Sequence, residues 1–312
     1  IERKMKNLLW TTLVMVICLF TACSDDDDKM PQGPVITYAG KLPSNVNGYI
    51  FTYDENGRCI QVKSGSYVLG EIDYDKGLLI SDDEEAEVKF TGEGYIKSIK
   101  SSWNEKDEYG SSKGSGEVYF SYKGGQLTSC TISSSESGKD EDGSYSYKGT
   151  YKTTYTWKNG NLIKVESEGS EIEDGEKWED GYTCAIEYGD QKNELGQFSI
   201  TQTRVLDMED FQMLGLVGML GKASAYFPVS YTEVDYEKDS EGNVDEDEST
   251  SSMTYSLHQD GTISTEKIDN YPYPYSYVTV DEEEALGRSC QLGNDSKNLN
   301  FRSFFMRHRC RK

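Results

Sequence analysis

The feature that most constrains the fold is a recurring pattern in which apolar and polar residues alternate, pass through a turn containing glycine, and alternate again. Alternation with a period of two is typical of half-buried β-strands. Asn56–Gly57 and Asn159–Gly160 are strong hairpin signals, because both residues accept a positive φ. The clearest copies span 49–62, 72–80, 88–99, 118–132, 154–165 and 255–268, with a looser copy at 184–200. The pattern predicts an all-β antiparallel meander of hairpins that forms a curved sheet or a closed barrel-like structure.

One predicted strand carries a stripe of aromatic side chains. In the segment YSYKGTYKTTYTW, one face holds Tyr145, Tyr147, Tyr151, Tyr155 and Trp157. Two interpretations are open: such a stripe packs the interior of the sheet, or it stacks on the rings of a sugar. The five residues are therefore candidate ligand-binding residues.

Two segments depart from the hairpin pattern. The segment DMEDFQMLGLVGMLGK predicts one short helix near 207–221, with Asp207 as its N-cap and Gly221 at its end. Its interior glycines predict close packing against the sheet. The segment YPYPYSY contains Pro272 and Pro274, which cannot donate to a ladder, so it predicts an edge strand.

Three acidic segments rich in serine and glycine lie at 133–144, 166–181 and 237–252. Their composition predicts solvated loops. The stretch DSEGNVDEDE at 239–248 is rich in oxygen ligands for calcium, but Gly242 does not stand at the EF-hand position. We therefore assign no metal-binding residues and no cofactor, and weak binding of a divalent cation by this loop is the alternative.

The beginning of the chain reads as an export signal. From Met5, taken as the true start, Lys6 supplies positive charge, residues 8–20 form an apolar run, and Thr21 and Ala22 are the small residues before a cut. Residues 1–22 are thus assigned as a signal peptide. The apolar run is short for a permanent membrane-spanning helix.

The stretch LFTAC at 19–23 resembles a bacterial lipobox, which implies that Cys23 is the lipid attachment residue. The six residues that follow resemble the surface-export signal of Bacteroidota lipoproteins: Ser24, Asp25, Asp26, Asp27, Asp28 and Lys29. A plain soluble linker or an engineered tag would also be acidic, but the position directly after a lipobox argues against a tag. Residues 23–40 are then a lipidated tether that holds the protein on the outer membrane, facing the cell exterior.

The remaining chain divides into two parts. Residues 41–284 are expected to form the β-hairpin repeat domain. Residues 285–312 carry seven Lys and Arg against one Asp, unlike the rest of this acidic chain. This atypical basic tail is read either as a frameshifted or chimeric end or as a genuine tail.

Composition and missing motifs narrow the function. The chain has 55 Asp and Glu against 32 Lys and Arg, so nucleic acid, which needs a basic face, is not expected as a partner. The two histidines are His258 and His308, and HExxH and Walker A motifs are absent from the sequence. We expect no catalytic residues. A carboxylate-based hydrolase is a weakly supported alternative, since so many acids form pairs by chance.

The lipobox, the acidic tether, the repeated Y-x-Y-x-x-x-G-x-(L/C) hairpins and GMLGKASAYFP at 218–228 together resemble a known family. It is the Bacteroidota surface lipoprotein domain of unknown function described as having a porin-like fold, and the resemblance covers 41–284. The hairpins are also similar to those of YD-repeat proteins. The resemblance implies a many-stranded, curved or closed antiparallel sheet anchored outside the cell, and it assigns no catalytic residue.

The polar face of the predicted strands bears on the membrane. It carries Thr52, Ser121, Thr154, Thr156 and Glu187. A membrane-spanning barrel needs an outward apolar band instead, so we expect this face in water and the apolar face inside. The sequence therefore predicts a lipid-anchored, non-catalytic cell-surface protein that binds a ligand, either a glycan or a protein. A structural or adhesin-like surface protein is the alternative.

The anchor is testable by one substitution. Cys23→Ala removes the thiol that would be acylated, and we expect it to abolish both acylation and membrane retention, as measured by radiolabelled fatty-acid incorporation and cell fractionation. Replacing Asp25 to Asp28 with Ala is the matched change: lipidation should persist while protease accessibility on whole cells falls. A Cys23→Ala protein that stays in the outer membrane would contradict the assignment.

Overall fold

In a computed structural model, the chain forms a closed antiparallel barrel of sixteen strands, each next to its neighbours in sequence, with the first and last strands pairing to close it. The structure describes residues 37–81, 84–106, 110–139, 143–206, 212–238 and 242–279. The all-β prediction is confirmed, and of its two forms the sheet adopts the closed one. Cys23, residues 24–36 of the tether and the basic tail lie outside the described residues.

The strands are β1 (Lys41–Val46), β2 (Tyr49–Tyr53), β3 (Cys59–Ser64), β4 (Tyr67–Asp73), β5 (Leu78–Ser81), β6 (Glu84–Phe90), β7 (Ile96–Lys106), β8 (Ser111–Lys123), β9 (Gln126–Lys139), β10 (Ser144–Lys158), β11 (Asn161–Glu173), β12 (Glu176–Lys192), β13 (Tyr226–Lys238), β14 (Val244–Leu257), β15 (Ile263–Ile268) and β16 (Tyr271–Thr279).

The hairpin signals in the sequence mark real turns. Asn159 and Gly160 adopt φ values of 52° and 81° between β10 and β11, as a tight hairpin with two left-handed residues requires. The predicted faces also hold, since Phe51, Val118 and Phe120 point inward and are buried. The strand that carries the aromatic stripe is β10, and it spans 15 residues.

Strand length divides the barrel into two halves. The consecutive strands β7 to β14 have 11 to 17 residues, whereas the other eight have 4 to 9. The ladder between β14 and β15 runs only from Met253 to Leu257, so β14 extends well past its neighbour. The barrel thus closes at one end, and β7 to β14 continue beyond the rim as a curved wall, here called the long wall.

The connection between β12 and β13 fills the closed end. Two short helices lie in it, α1 (Ile200–Arg204) and α2 (Gln212–Leu216). Apolar side chains of this segment join the same buried cluster as the inward faces of the strands: Phe198, Ile200, Leu206, Leu214, Leu216, Met219 and Leu220. We call the described parts of residues 193–225 the plug. It occupies the lumen at the end where β10 turns into β11.

Backbone hydrogen bonds fasten the plug to successive hairpin turns. The N–H of Ile96 donates to Met219 O at 2.9 Å, and the N–H of Lys222 donates to Gly125 O at 2.8 Å. From the wall, the Tyr155 hydroxyl donates to Leu206 O at 2.8 Å. These bonds satisfy backbone groups that would otherwise be buried without partners.

The predicted helix is partly present. Helix α2 lies inside the range 207–221, although residues 207–211, including the proposed N-cap Asp207, lie outside the described residues. Gly218 and Gly221 have φ values of 75° and 97°, which are left-handed and end the helix early. Gly215 does pack closely, but against α1: a Cβ there would lie 2.7 Å from Thr203 Cγ2. Helix α1 was not predicted.

The strongest link between plug and wall is a buried carboxylate. Glu266 of β15 is completely buried, with 0% exposure. It accepts from the N–H groups of Ile200 (2.8 Å) and Thr201 (3.0 Å) at the start of α1, and from the hydroxyls of Tyr255 (3.1 Å) and Tyr275 (2.6 Å). Four donors offset the cost of burying the charge. The pKa values of both tyrosines are raised well above the usual range by burial and then by Glu266, so both hydroxyls stay protonated as donors.

The prediction of an edge strand at the proline segment is wrong. β16 pairs with β15 on one side and with β1 on the other. Its prolines are tolerated because the continuous ladder with β1 begins only at Tyr275, beyond Pro272 and Pro274. Pro274 O, which accepts from the Asn47 N–H at 2.9 Å, faces the β1 side, so the missing proline N–H leaves no gap in the ladder with β15.

Glu266→Gln should destabilise the fold. The amide would bring two donors to a site already filled by four donors, leaving buried groups unmatched, so we expect the free energy of unfolding to fall by about 3–5 kcal/mol. Chemical denaturation followed by circular dichroism measures this loss. The control Glu166→Gln removes a half-exposed carboxylate paired with Lys164 and should change the stability by about 0.5 kcal/mol at most. Equal effects of the two substitutions would contradict the role of Glu266.

Candidate ligand site at the open end of the barrel

Above the plug, the inward face of the long wall changes from apolar to polar and acidic. Register places Tyr147 opposite both Glu136 and Glu173, and places Gly169 opposite Asp180. Within one strand, every second residue shares a face. The inward face of β9 to β12 beyond the core therefore combines carboxylates with tyrosine hydroxyls. It forms a concave, acidic mouth at the open end.

The structure brings the predicted stripe together on this inward face but buries most of it. Tyr147, Tyr151 and Tyr155 are buried, and Tyr145 and Trp157 are partly buried. Trp157 Nε1 donates to Leu127 O at 2.7 Å, so it belongs with Tyr155 to the packed half. The stripe is thus not an open platform over its length. Its role in ligand binding remains a prediction, and it can apply only to the part nearest the mouth.

Glycines on neighbouring strands explain how the rings are buried. A Cβ added at Gly169 would lie 2.0 Å from Tyr151 Cε1, and one added at Gly138 would lie 2.5 Å from Tyr145 Cζ. A Cβ at Gly114 would lie 2.2 Å from Trp103 Cζ2 in the same way. Each ring lies over a position that only glycine leaves empty. The rings are therefore held rigidly, and the hydroxyls of Tyr145 and Tyr151 reach the carboxylates of Glu136 and Glu171.

Glu171 is the hub of the hydrogen bonds at the mouth. Its Oε1 accepts from the Tyr147 hydroxyl at 2.7 Å and from the Tyr151 hydroxyl at 2.6 Å. Burial, followed by Glu171, raises the pKa of both tyrosines well above the ordinary value, so both remain protonated. The Tyr145 hydroxyl donates to Glu136 Oε1 at 2.9 Å. These bonds fix the carboxylates in defined positions.

Trp178 adds an exposed ring to this group. It lies directly opposite Glu171 in the ladder between β11 and β12, and its side chain is 39% exposed. The sequence interpretation missed it because Trp178 falls in the segment 166–181, which was predicted to be a loop. That prediction is wrong: β11 and β12 run through the segment except for the turn at Asp174–Gly175. The other two acidic segments are likewise largely strand.

Charges are segregated across the wall. The lysines of β8, β10, β11 and β12 within this region lie on the outward face: Lys113, Lys148, Lys152, Lys164 and Lys177. The inward face carries acids. The mouth is therefore electronegative, which favours neutral or cationic ligands and disfavours anionic ones.

The plug end has a second concavity on its outer side. A cleft of about 680 Å³ is lined by Lys41, His258, Asp260, Tyr275 and Tyr277, among others. Lys41 forms an ion pair with Asp260, and this contact holds the pKa of the Asp260 carboxyl well below its usual range. His258 is exposed beside a turn. Nothing in this cleft matches a nucleophile with an adjacent base.

The remaining chemical groups do not form a metal or thiol site. In the described ranges, no three His, Cys, Asp or Glu residues are arranged to hold a metal ion. Cys59, Cys130 and Cys184 are buried thiols, as expected for small apolar residues on strands. Burial raises the pKa of the Cys59 thiol to about 12, which keeps it protonated. Among the described residues, no helix is long and apolar enough to cross a membrane.

Comparisons with known proteins give a likeness but no family. No protein-family model and no curated protein matches this sequence. The chain is similar to the crystal structure of a porin-like protein from Bacteroides vulgatus ATCC 8482, with 14% identity, 77% of this chain and 98% of that chain covered, and a TM-score of 0.41. It is also similar to a porin-like protein from Bacteroides uniformis ATCC 8492, with 12% identity, 80% and 100% covered, and a TM-score of 0.28. Neither likeness is close enough to carry a function to this chain.

The packing of ring on glycine predicts the effect of one methyl group. Gly169→Ala forces the Tyr151 ring off its seat, so we expect a loss of about 1–3 kcal/mol in the free energy of unfolding. The control is Gly92→Ala, where nothing lies within 4 Å of the added Cβ, and its effect should stay within about 0.5 kcal/mol. Urea titration of both variants measures the difference. If Gly169→Ala proves as harmless as Gly92→Ala, the ring does not lie where the structure has it.

Proposed function

We propose that this protein is a lipid-anchored, non-catalytic surface protein that binds a neutral or amino-bearing glycan at the open mouth of its barrel. The observation that carries the proposal is the exposed ring of Trp178 directly opposite Glu171, whose carboxylate is fixed by two tyrosine hydroxyls. An aromatic face stacks on the apolar side of a sugar ring, and an oriented carboxylate accepts from its hydroxyls.

The charge of the mouth narrows the ligand class. Glu136, Glu171 and Asp180 all lie on the inward face, while the lysines of the same strands point outward. Sulfated or uronic sugars would meet like charge, whereas neutral sugars and amino sugars would not. We therefore include a selectivity against anionic glycans in the proposal.

The filled lumen supports ligand binding at the mouth rather than passage of a solute through the barrel. Leu214, Leu216 and Met219 of the plug belong to the same buried cluster as the wall residues Ile99 and Val165. A ligand that enters the mouth meets this packed layer and stays at the open end.

The outer surface supports a barrel that stands in water on a tether. The outward residues of β10 are exposed, and each is Ser, Thr or Lys. Thr52, Ser121 and Glu187, which the sequence also assigned to the water face, are exposed as predicted. Such a surface fits attachment through an acylated Cys23, with the acidic tether as spacer, on the outside of the outer membrane.

A glycan array with the purified protein, followed by titration calorimetry on the best ligand, tests the proposal. We expect Trp178→Ala to weaken binding about tenfold or more, as for the loss of an aromatic anchor. The matched control is Tyr119→Ala, which removes a 43% exposed aromatic from the outward face of β8 and should leave binding unchanged. The proposal fails if no neutral or amino-bearing glycan binds, or if the two variants lose affinity equally.

A further inference from the structure

The long wall ends in an open ladder edge on β14. β14 pairs with β13 from Val244 to Ser252, but its pairing with β15 begins only at Met253. In the part of the chain that the structure describes, Val244–Ser252 therefore has a partner strand on one side only. Such an edge presents backbone donors and acceptors to any strand that fits.

The direction of the open groups follows from the contact at the rim. The N–H of Ser252 donates to Asp269 Oδ1 at 2.8 Å, and the N–H of Asp269 donates to Ser252 O at 2.9 Å. Ser252 thus points its backbone groups away from β13. In an antiparallel strand every second residue points its groups the same way, so those of Thr250, Glu248 and Glu246 face outward along the same edge. Asp269 ends the ladder at the rim with a side-chain carboxylate, and the residues above it remain available.

The edge is strongly acidic on both faces. Asp245, Glu246, Asp247 and Glu248 are consecutive and exposed. In the ladder with β13, Asp235 stands opposite Asp247, and Glu237 stands opposite Asp245. Like charges directly opposite one another in a sheet are unfavourable. A strand that brought positive charge to this edge would relieve that repulsion on the inward face and offset the charge of Glu246 and Glu248 on the outward face.

We propose that the β14 edge is a docking site for an extended segment rich in lysine and arginine, which adds to the long wall as a further strand. Strand addition supplies backbone hydrogen bonds, and the alternate side chains supply specificity. Pairing with the β14 strand of a second copy would place carboxylates opposite carboxylates. The edge therefore disfavours self-association and favours cationic strands. The site is independent of the glycan proposal, because the groups it uses lie on β14 and not on β9 to β12.

Hydrogen exchange with a defined probe tests the docking mode. The probe is a short peptide in which lysine and threonine alternate, titrated into the purified full chain. We expect the amides of Glu246, Glu248 and Thr250 to become protected, whereas those of Asp247 and Ser249, which face β13, change little. Protection of neither set would contradict the proposal.

Two matched controls separate strand addition from attraction by charge. The same peptide with alternate backbone nitrogens methylated keeps its charge but loses its donors, and it should bind about tenfold or more weakly. In the protein, Glu248→Pro removes one edge N–H and should also weaken binding about tenfold or more, whereas Glu248→Gln, which changes charge alone, should have a smaller effect. Equal affinity for the plain and methylated peptides, or equal binding of a peptide in which glutamate replaces lysine, would overturn the proposal. The peptide control needs no variant, so a misfolded Glu248→Pro protein would not weaken the test.

Discussion

The closed end of the barrel depends on the hydrogen bonds that the buried carboxylate of Glu266 accepts. A buried charge of this kind is costly unless every lone pair meets a donor. Here the donors come from three separate parts of the chain: the start of α1, β14 through Tyr255, and β16 through Tyr275. The charge therefore holds the plug and the wall together in one register. The plug supplies much of the apolar core, so this contact also holds the core inside the lumen of the barrel.

Because the plug fills the barrel at its closed end, the inward face at the open end can carry polar and charged side chains. The strands β7 to β14 contribute to the core mainly through the parts next to the plug. The same strands then continue past the rim of the barrel. On the extension, glycine opposite aromatic replaces apolar packing, with Gly169 under Tyr151 as the closest case. The rings are held by the glycine positions over which they lie, and their rigidity does not require apolar side chains to fill the lumen there. This is why carboxylates and an exposed Trp178 can share the inward face without weakening the core.

The parts of the fold that rest on local pattern were predictable from the sequence. The alternation around Val118 and Tyr151 fixes which face is buried, and Asn159–Gly160 fixes a turn, because both depend on neighbours in the chain. Local pattern does not decide whether the sheet closes, because pairing of β1 with β16 joins residues more than two hundred positions apart. Glu266 was missed for a similar reason. The two amides of α1 that donate to it are more than sixty residues away, and a lone glutamate in an acidic chain gives no sign that it is buried.

In the candidate site, too, local pattern predicts some features, whereas others depend on neighbouring strands. The shared face of Tyr145, Tyr147 and Tyr151 follows from period two, but their burial depends on glycines of neighbouring strands, which the sequence of one strand does not report. Trp178 was hidden by composition. Its acidic, glycine-containing surroundings are typical of a loop, whereas β11 and β12 remain paired there because the strands on both sides continue the sheet.

The proposed ligand site lies at the mouth, above the plug and against the inward face of β11 and β12. Hydrogen–deuterium exchange read by mass spectrometry, with and without a saturating glycan, tests this most directly. We expect slower exchange in peptides that cover Gly169 and Asp180, with the region around Lys41 and Asp260 unchanged. Slower exchange confined to the cleft of Lys41 and Asp260, or none on β11 and β12, would contradict it.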